Sequence, residues 1–338
     1  MIIVRLEGGI GNQMFEYAMG RRLAEKHLSS LKLDISWLET QKLRQYKLQH
    51  FNIREEFATS VEVDAIVGNY SVLKWLSLKI FRKLGLDQLL ADVDTEREIL
   101  AIINGRQYTF FKWLLARIKH KAGFHRSVIG LHQEGRYLRE KYFHFDSTLL
   151  NTPDFIYLDG FWQSEKYFSD IEGILRQEFA LKNTQTALFH QIAEKIEGTR
   201  SVSLHVRRGD MANHPETNRL HGTCSLDYYD RAIEYMIERI YQPHFFIFSD
   251  DPEWVKDNLN LNCLSTIVSY GDLLQDYEEL HLMSRCQNHI IANSSFSWWG
   301  AWLNPKIDKL VVAPNNWFGA FVSDHDTKDL IPETWVRL

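Results

Sequence analysis

One segment constrains this chain more than any other: Ser201-Val202-Ser203-Leu204-His205-Val206-Arg207-Arg208-Gly209-Asp210. Val202, Leu204 and Val206 alternate with smaller or polar residues, the period-two signature of a strand. The run then stops at two adjacent guanidiniums, a glycine that permits a turn, and a carboxylate. In open α/β sheets, ligands gather at such strand ends. Arginine offers a planar, permanently charged fork that matches phosphate oxygens two at a time, each charge-assisted bond contributing roughly 1.5–3 kcal/mol. The residues alone also fit a structural ion pair between one arginine and Asp210.

Two further segments share this character. At the N-terminus the apolar run Met1-Ile2-Ile3-Val4-Arg5-Leu6 is followed by Glu7-Gly8-Gly9-Ile10-Gly11-Asn12-Gln13, a glycine turn between strand and helix. Met14, Phe15, Ala18, Met19 and Leu23 then recur at helical spacing, which predicts a helix N-cap at about Asn12. Glycines in such a turn let backbone approach a ligand, and free N–H groups at a helix start favour an anion; a purely structural turn fits equally. The spacing Gly9-x-Gly11 lacks the third glycine of a dinucleotide fingerprint. The third segment runs from His289 through Asn293-Ser294-Ser295-Phe296 to Asn304-Pro305 and reads as an apolar strand, a polar turn and an aromatic helix. The hydroxyls of Ser294 and Ser295 suit phosphate at that helix start. Trp298, Trp299 and Trp302 are assigned to core packing by their helical spacing.

Taken in order, Gly8-Gly9-Ile10-Gly11-Asn12-Gln13-Met14-Phe15, His205-Val206-Arg207-Arg208-Gly209-Asp210 and Ile290 through Gly300 resemble the bacterial α-1,2-fucosyltransferases of glycosyltransferase family 11. Cys224-Ser225-Leu226-Asp227-Tyr228-Tyr229 and Phe246-Ile247-Phe248-Ser249-Asp250-Asp251 agree with the same family. Two positions depart from its pattern: Glu279 stands where Asp is expected, and Glu16 where many bacterial members carry Gln.

The resemblance implies an α/β, GT-B-like fold of two Rossmann-like domains facing a cleft. It also implies inverting transfer of L-fucose from GDP-fucose to the 2-hydroxyl of a terminal β-galactoside, with no metal and no further cofactor. The residues make such chemistry plausible, because a leaving nucleoside diphosphate accumulates charge that two arginines can stabilise in place of a metal ion. Arg207 and Arg208 are therefore assigned to the pyrophosphate, with Arg207 the direct β-phosphate contact by similarity. His205, Gly11, Asn12, Asp250, Ser294, Ser295 and Phe296 complete the expected donor pocket. Asn12 is expected beside the attacking hydroxyl or the leaving phosphate. Asp210 is a candidate base or an orienter of the arginines, and Glu7, His214 and His221 are weaker acceptor-side candidates. The carboxylates Asp250 and Asp251 precede Pro252 and a helical pattern, which reads as a helix cap rather than a metal site. Alternatives are a transferase for another nucleotide sugar or linkage, and a catalytically silent glycan-binding protein.

The remaining sequence fits this class. A chain of 338 residues accommodates two domains, expected at 1–182 and 183–338, and 45% hydrophobic residues suffice for their cores. A net charge of −5 offers no general attraction to nucleic acid. Cys224, Cys263 and Cys286 form neither a disulfide framework nor a zinc pattern, which fits a reducing cytoplasm. The first residues read as a core strand, with no secretory signal and no apolar run of transmembrane length. Strands are predicted at Leu31 to Ile35, Phe155 to Leu158, and near 202–206, 244–249, 265–268, 288–292 and 310–313. Helices are predicted near 225–240, 253–258, 274–285 and 296–303, giving a doubly wound second half. Two basic amphipathic patterns, Leu73 to Leu84 and Phe110 to Lys121, suit either a solvated face or a peripheral contact with an anionic membrane surface.

Overall fold

The computed structural model describes residues 1–67, 136–182, 185–209, 212, 215–259, 261–269, 273–319 and 326–338. The basic patterns at 73–84 and 110–121, and the residues Asp210 and His214, lie outside the described residues. The chain divides into two compact units: Met1–Phe57 with Arg139–Asp154 and Leu158–Leu338, and Ala58–Leu138 with Phe155–Tyr157.

In the first unit the N-terminal strand β1 (Ile2–Arg5) leads into helix α1 (Ile10–His27), and β2 (Leu31–Asp34) returns parallel to β1 with Ile2 opposite Leu31. Strands β3 (Tyr137–Arg139) and β4 (Ile156–Asp159) each have residues in both units. The N-cap of α1 is Gly9 rather than Asn12. Gly8, at φ +75°, takes the left-handed turn that lets the helix begin early. Asn12 thus lies inside the first turn, and its side chain is not spent on capping.

After helices α2 (Glu172–Glu178) and α3 (Ala187–Glu197), the chain builds its second sheet from β5 (Ser201–Val206), β6 (His244–Ser249), β7 (Ser265–Ile267), β8 (Asn288–Ile290), β9 (Val311–Ala313) and β10 (Val336–Arg337). Its order is β10-β9-β8-β5-β6-β7, and every pairing is parallel. The connecting helices are α4 (Pro215–His221), α5 (Leu226–Arg239), α6 (Pro252–Asn258), α7 (Asp276–Arg285) and α8 (Ser295–Leu303). Parallel strands linked by helices are the α/β class expected from the sequence. The predicted strands and helices of this half are present within two residues of their expected limits, while α2, α3, α4 and β10 were not anticipated.

Both faces of the second sheet are covered, which explains why β5 is buried at all six positions rather than at alternate ones. Val202, Leu204 and Val206 pack with Phe245 and Ile247 against Tyr228, Tyr229, Ala232 and Met236 of α5. Phe246 and Phe248 face the other way, against Phe189 and Ile196 of α3 and Leu282 and Met283 of α7. Ser203 and His205 are in register with Phe246 and Phe248, so they share this second face. Ser203 meets the buried His289 there, Oγ to Nδ1 at 2.8 Å, and Asn304 holds the other ring nitrogen at 2.8 Å. Among the described residues no helix is long and apolar enough to cross a membrane.

Candidate active site

The parallel register determines what meets at the tip of β5. Val206 lies opposite Ser249, so the next residues along, Arg207 and Asp250, emerge side by side from one edge of the sheet. Arg207 Nη1 pairs with Asp250 Oδ2 at 2.8 Å, and Asp250 Oδ1 accepts the backbone N–H of Arg208 at 2.8 Å. The Arg208 guanidinium lies over the Trp254 ring, 3.9 Å from its centroid, with Nε 3.4 Å from Asp251 Oδ2. Asp251 also caps α6, its Oδ1 accepting from the Trp254 N–H at 3.2 Å with Pro252 in the first turn, as the sequence pattern anticipated. Ion pairs of the two arginines fall on Asp250 and Asp251, some forty residues away; Asp210, the partner considered from sequence, lies outside the described residues.

His205, two residues before the clamp, is buried, and its ring lies 5.6 Å from that of Phe296. Burial, reinforced by the Arg207 charge, lowers its pKa to about 3, so the imidazole is neutral. Its Nδ1 is a buried ring nitrogen with no hydrogen-bond partner among the described residues.

On the other side of β5, strand β8 runs out into the Asn293-Ser294 turn and α8. Asn293 Nδ2 donates to the carbonyls of His221, Gly222 and Trp317, at 2.9, 3.3 and 3.2 Å, and ties two segments to this corner. Ser294 is the N-cap of α8, its Oγ accepting from the Phe296 N–H at 3.3 Å. Ser295 Oγ donates to Asn12 Oδ1 at 2.7 Å. Gly11 lies against the same turn: a Cβ on it would come within 2.5 Å of the Ser295 carbonyl carbon and 2.7 Å of the Phe296 nitrogen. The close approach that Gly11 permits is thus to the start of α8, not only to a ligand. Trp299 Nε1 donates to the Gly11 carbonyl at 2.9 Å, and Trp298 and Trp299 are fully buried, as expected of core tryptophans.

Asn12 Oδ1 also receives Gln163 Nε2 at 3.0 Å. With both donors on the oxygen, the Asn12 amide presents Nδ2, a donor only. The starts of α1 and α8 thus meet at one point, and each contributes the partial positive charge of a helix N-terminus. Arg207, Arg208 and Asp250 cluster at the tip of β5 and β6, Gly11, Asn12, Ser294, Ser295 and Phe296 at the start of α8, and the His205–Phe296 ring contact links the two groups; Asp210 falls outside the described residues. Glu7 pairs with Arg5 at 3.2 Å. Sequence reasoning missed Gln163, which follows the strand end and glycine of Asp159-Gly160-Phe161-Trp162-Gln163 but carries no motif of its own. Next to Glu279 on α7, Glu278 is buried, and its oxygens accept the backbone N–H groups of Thr186 and Gln275 at 3.0 and 3.1 Å.

Comparison with known proteins adds independent information. The alpha-1,2-colitosyltransferase of Escherichia coli is 32% identical over 340 residues, covering 100% of this chain and 99% of that protein. The O-antigen biosynthesis glycosyltransferase WbnK of Escherichia coli is 28% identical, covering 98% and 99%. The human galactoside alpha-(1,2)-fucosyltransferase 1 is 27% identical over 158 residues, 44% of this chain and 43% of that one. Among solved structures, the fucosyltransferase NodZ from Bradyrhizobium aligns over 91% of this chain and 95% of its own, with 12% identity and a TM-score of 0.43. The profile of Glycosyl transferase family 11 matches residues 1–338, and the chain belongs to that family of glycosyltransferases.

Proposed function

We propose that the chain is an inverting galactoside α-1,2-fucosyltransferase, moving L-fucose from GDP-fucose to the 2-hydroxyl of a terminal β-galactoside without a metal ion. The observation that carries this reading is the pair of guanidiniums at the tip of β5, held by Asp250, Asp251 and Trp254 beside the starts of α1 and α8. As the bond between the sugar and the diphosphate breaks, its electron pair passes to a β-phosphate oxygen. Arg207 and Arg208 meet that charge already oriented, which makes them electrostatic stabilisers of the transition state. Asn12 Nδ2, a donor whose oxygen is occupied, suits the leaving oxygen rather than the proton of the attacking hydroxyl. Neutral His205 and the Phe296 ring give the pocket an apolar wall. The acceptor 2-hydroxyl attacks from the face opposite the diphosphate, inverting the anomeric carbon as the new C–O bond forms, and its proton passes to solvent.

A second reading, transfer of colitose in the same linkage, is favoured by the full-length identity to the Escherichia coli alpha-1,2-colitosyltransferase. Competition binding separates donor classes: GDP is expected to displace a labelled guanine nucleotide, with UDP weaker by more than about tenfold. Tighter binding of UDP would reject the guanine-nucleotide reading. Side-by-side rates with GDP-fucose and GDP-colitose then decide between the two sugars.

A further inference from the structure

We propose that Glu140 is a positioning residue for transfer: its carboxylate braces the turn at 160–163 so that Gln163 holds the Asn12 oxygen and directs the Asn12 NH2 group at the reacting centre. The inference rests on the role given to Asn12 above and concerns residues that no sequence motif marked.

Four observations support the brace. First, Glu140 Oε2 accepts two successive backbone N–H groups, Phe161 at 2.8 Å and Trp162 at 3.1 Å. Second, the Glu140 side chain occupies the space a side chain at position 160 would need, since a Cβ there would press on the Glu140 Cβ and lie 2.9 Å from Oε2; glycine leaves room for it. Third, Trp162 sits at φ +55°, a left-handed conformation that is costly for a tryptophan and persists only where its surroundings impose it. The fully buried Trp162 ring, edge-on to Tyr167 at 5.8 Å, and the Ser164 N–H on the Trp162 carbonyl at 2.8 Å hold the far side of the turn. Fourth, the very next residue, Gln163, makes the 3.0 Å bond to Asn12. A strained turn, held from below by a carboxylate and ending in the side chain that orients Asn12, is a device for placing an amide.

The brace has a charge state. Burial pushes the Glu140 carboxyl up to about 7, against the pull of the two N–H donors. The titratable groups facing it are Glu16 of α1 and Tyr167; Asp159, whose carbonyl receives the Glu140 N–H at 2.9 Å, is itself paired with Arg5 at 3.1 Å and Arg139 at 3.8 Å. The ionised form is the better acceptor for two N–H groups, so the turn tightens as pH rises through about 7.

The test combines kinetics with an arm that needs no substrate. In Glu140→Gln, kcat is expected to fall about tenfold with donor KM within about twofold, and the rise of kcat through neutral pH to disappear. Gln163→Ala is expected to show the same fall and the same loss of the pH-dependent rise, and the double variant to be no worse than either, because the two residues act in series. Additive losses, or a rise that survives in either variant, would overturn the proposal. Gln163→Ala decides the matter alone if Glu140→Gln fails to fold. Amide exchange at Phe161 and Trp162 is read separately: about tenfold faster in Glu140→Gln and unchanged in Gln163→Ala supports the brace, and unchanged exchange in a folded Glu140→Gln rejects it. If the wild type releases no GDP from GDP-fucose with any β-galactoside, the fucosyl reading fails while the exchange arm still decides the brace.

Discussion

Arg207 and Arg208 are adjacent in sequence and unequal in structure. Arg208 is stacked on Trp254 and anchored to Asp251, whereas Arg207 is held through Asp250, which also grips the Arg208 backbone. Arg207→Ala is therefore predicted to lower transfer by roughly 10²–10³-fold and to weaken GDP binding, as measured by initial rates and calorimetry. Arg207→Lys should recover little, because a point charge does not reproduce the fork. Asp250→Asn should cost less, about tenfold in kcat, since it loosens both arginines without removing either. Near-wild-type rates in Arg207→Ala would remove the phosphate assignment. The arginines and the two serines were legible as candidates because each stands in a local pattern of strand, turn and polar tip; His205 was legible only through the family resemblance. Asp250 as the partner of Arg207 was not, because that contact depends on the offset of β5 against β6, and a strand's sequence does not state which residue its neighbour places alongside. Gln163 and Glu140 were hidden for a related reason: an amide and a carboxylate in a turn look like any solvated loop until the fold brings them to Asn12.

The decisive contact between elements is the crossing of α1 and α8. Gly11 lies directly on the Ser295–Phe296 backbone, Trp299 caps the Gly11 carbonyl, and Phe15 lies 4.5 Å and 4.9 Å from the Trp298 and Trp299 rings. Backbone cannot yield as the tip of a flexible side chain does, so Gly11→Ala is predicted to force the helices apart. Its expected cost is about 1–3 kcal/mol, read from denaturant unfolding, together with a loss of kcat as Asn12 and Ser295 separate. Unchanged stability would mean that the helix starts are less closely packed than described. The existence and type of most of these elements could be read from periodicity, and the tryptophans were correctly placed in the core. The start of α1 could not: the sequence offers Asn12 as a good capping residue, and the turn through Gly8 makes Gly9 the cap instead.

At the scale of the whole molecule, buried titratable groups set the response to acid. Burial lowers the pKa of His205 and His289 to about 3 and of His281 to about 4, so these rings stay neutral when folded and take up protons on unfolding. Their contribution is complete above the ordinary histidine range and is lost as pH falls from there towards the folded values. Glu140 acts in the opposite sense: its raised pKa means that the folded state binds a proton between the usual carboxylate range and about 7, which offsets part of the acid loss. Melting at about pH 7 and about pH 5 is therefore predicted to show a larger fall in Tm for Glu140→Gln than for the wild type; a smaller fall would contradict the burial assigned to Glu140. The central claim concerns the reaction itself, and it is tested most directly by GDP release from GDP-fucose in the presence of EDTA, with and without β-galactosides, and by the linkage of any product. Galactoside-dependent release yielding an α-1,2-linked fucoside is the predicted result; release that requires a divalent metal, or a product with another linkage, would contradict it.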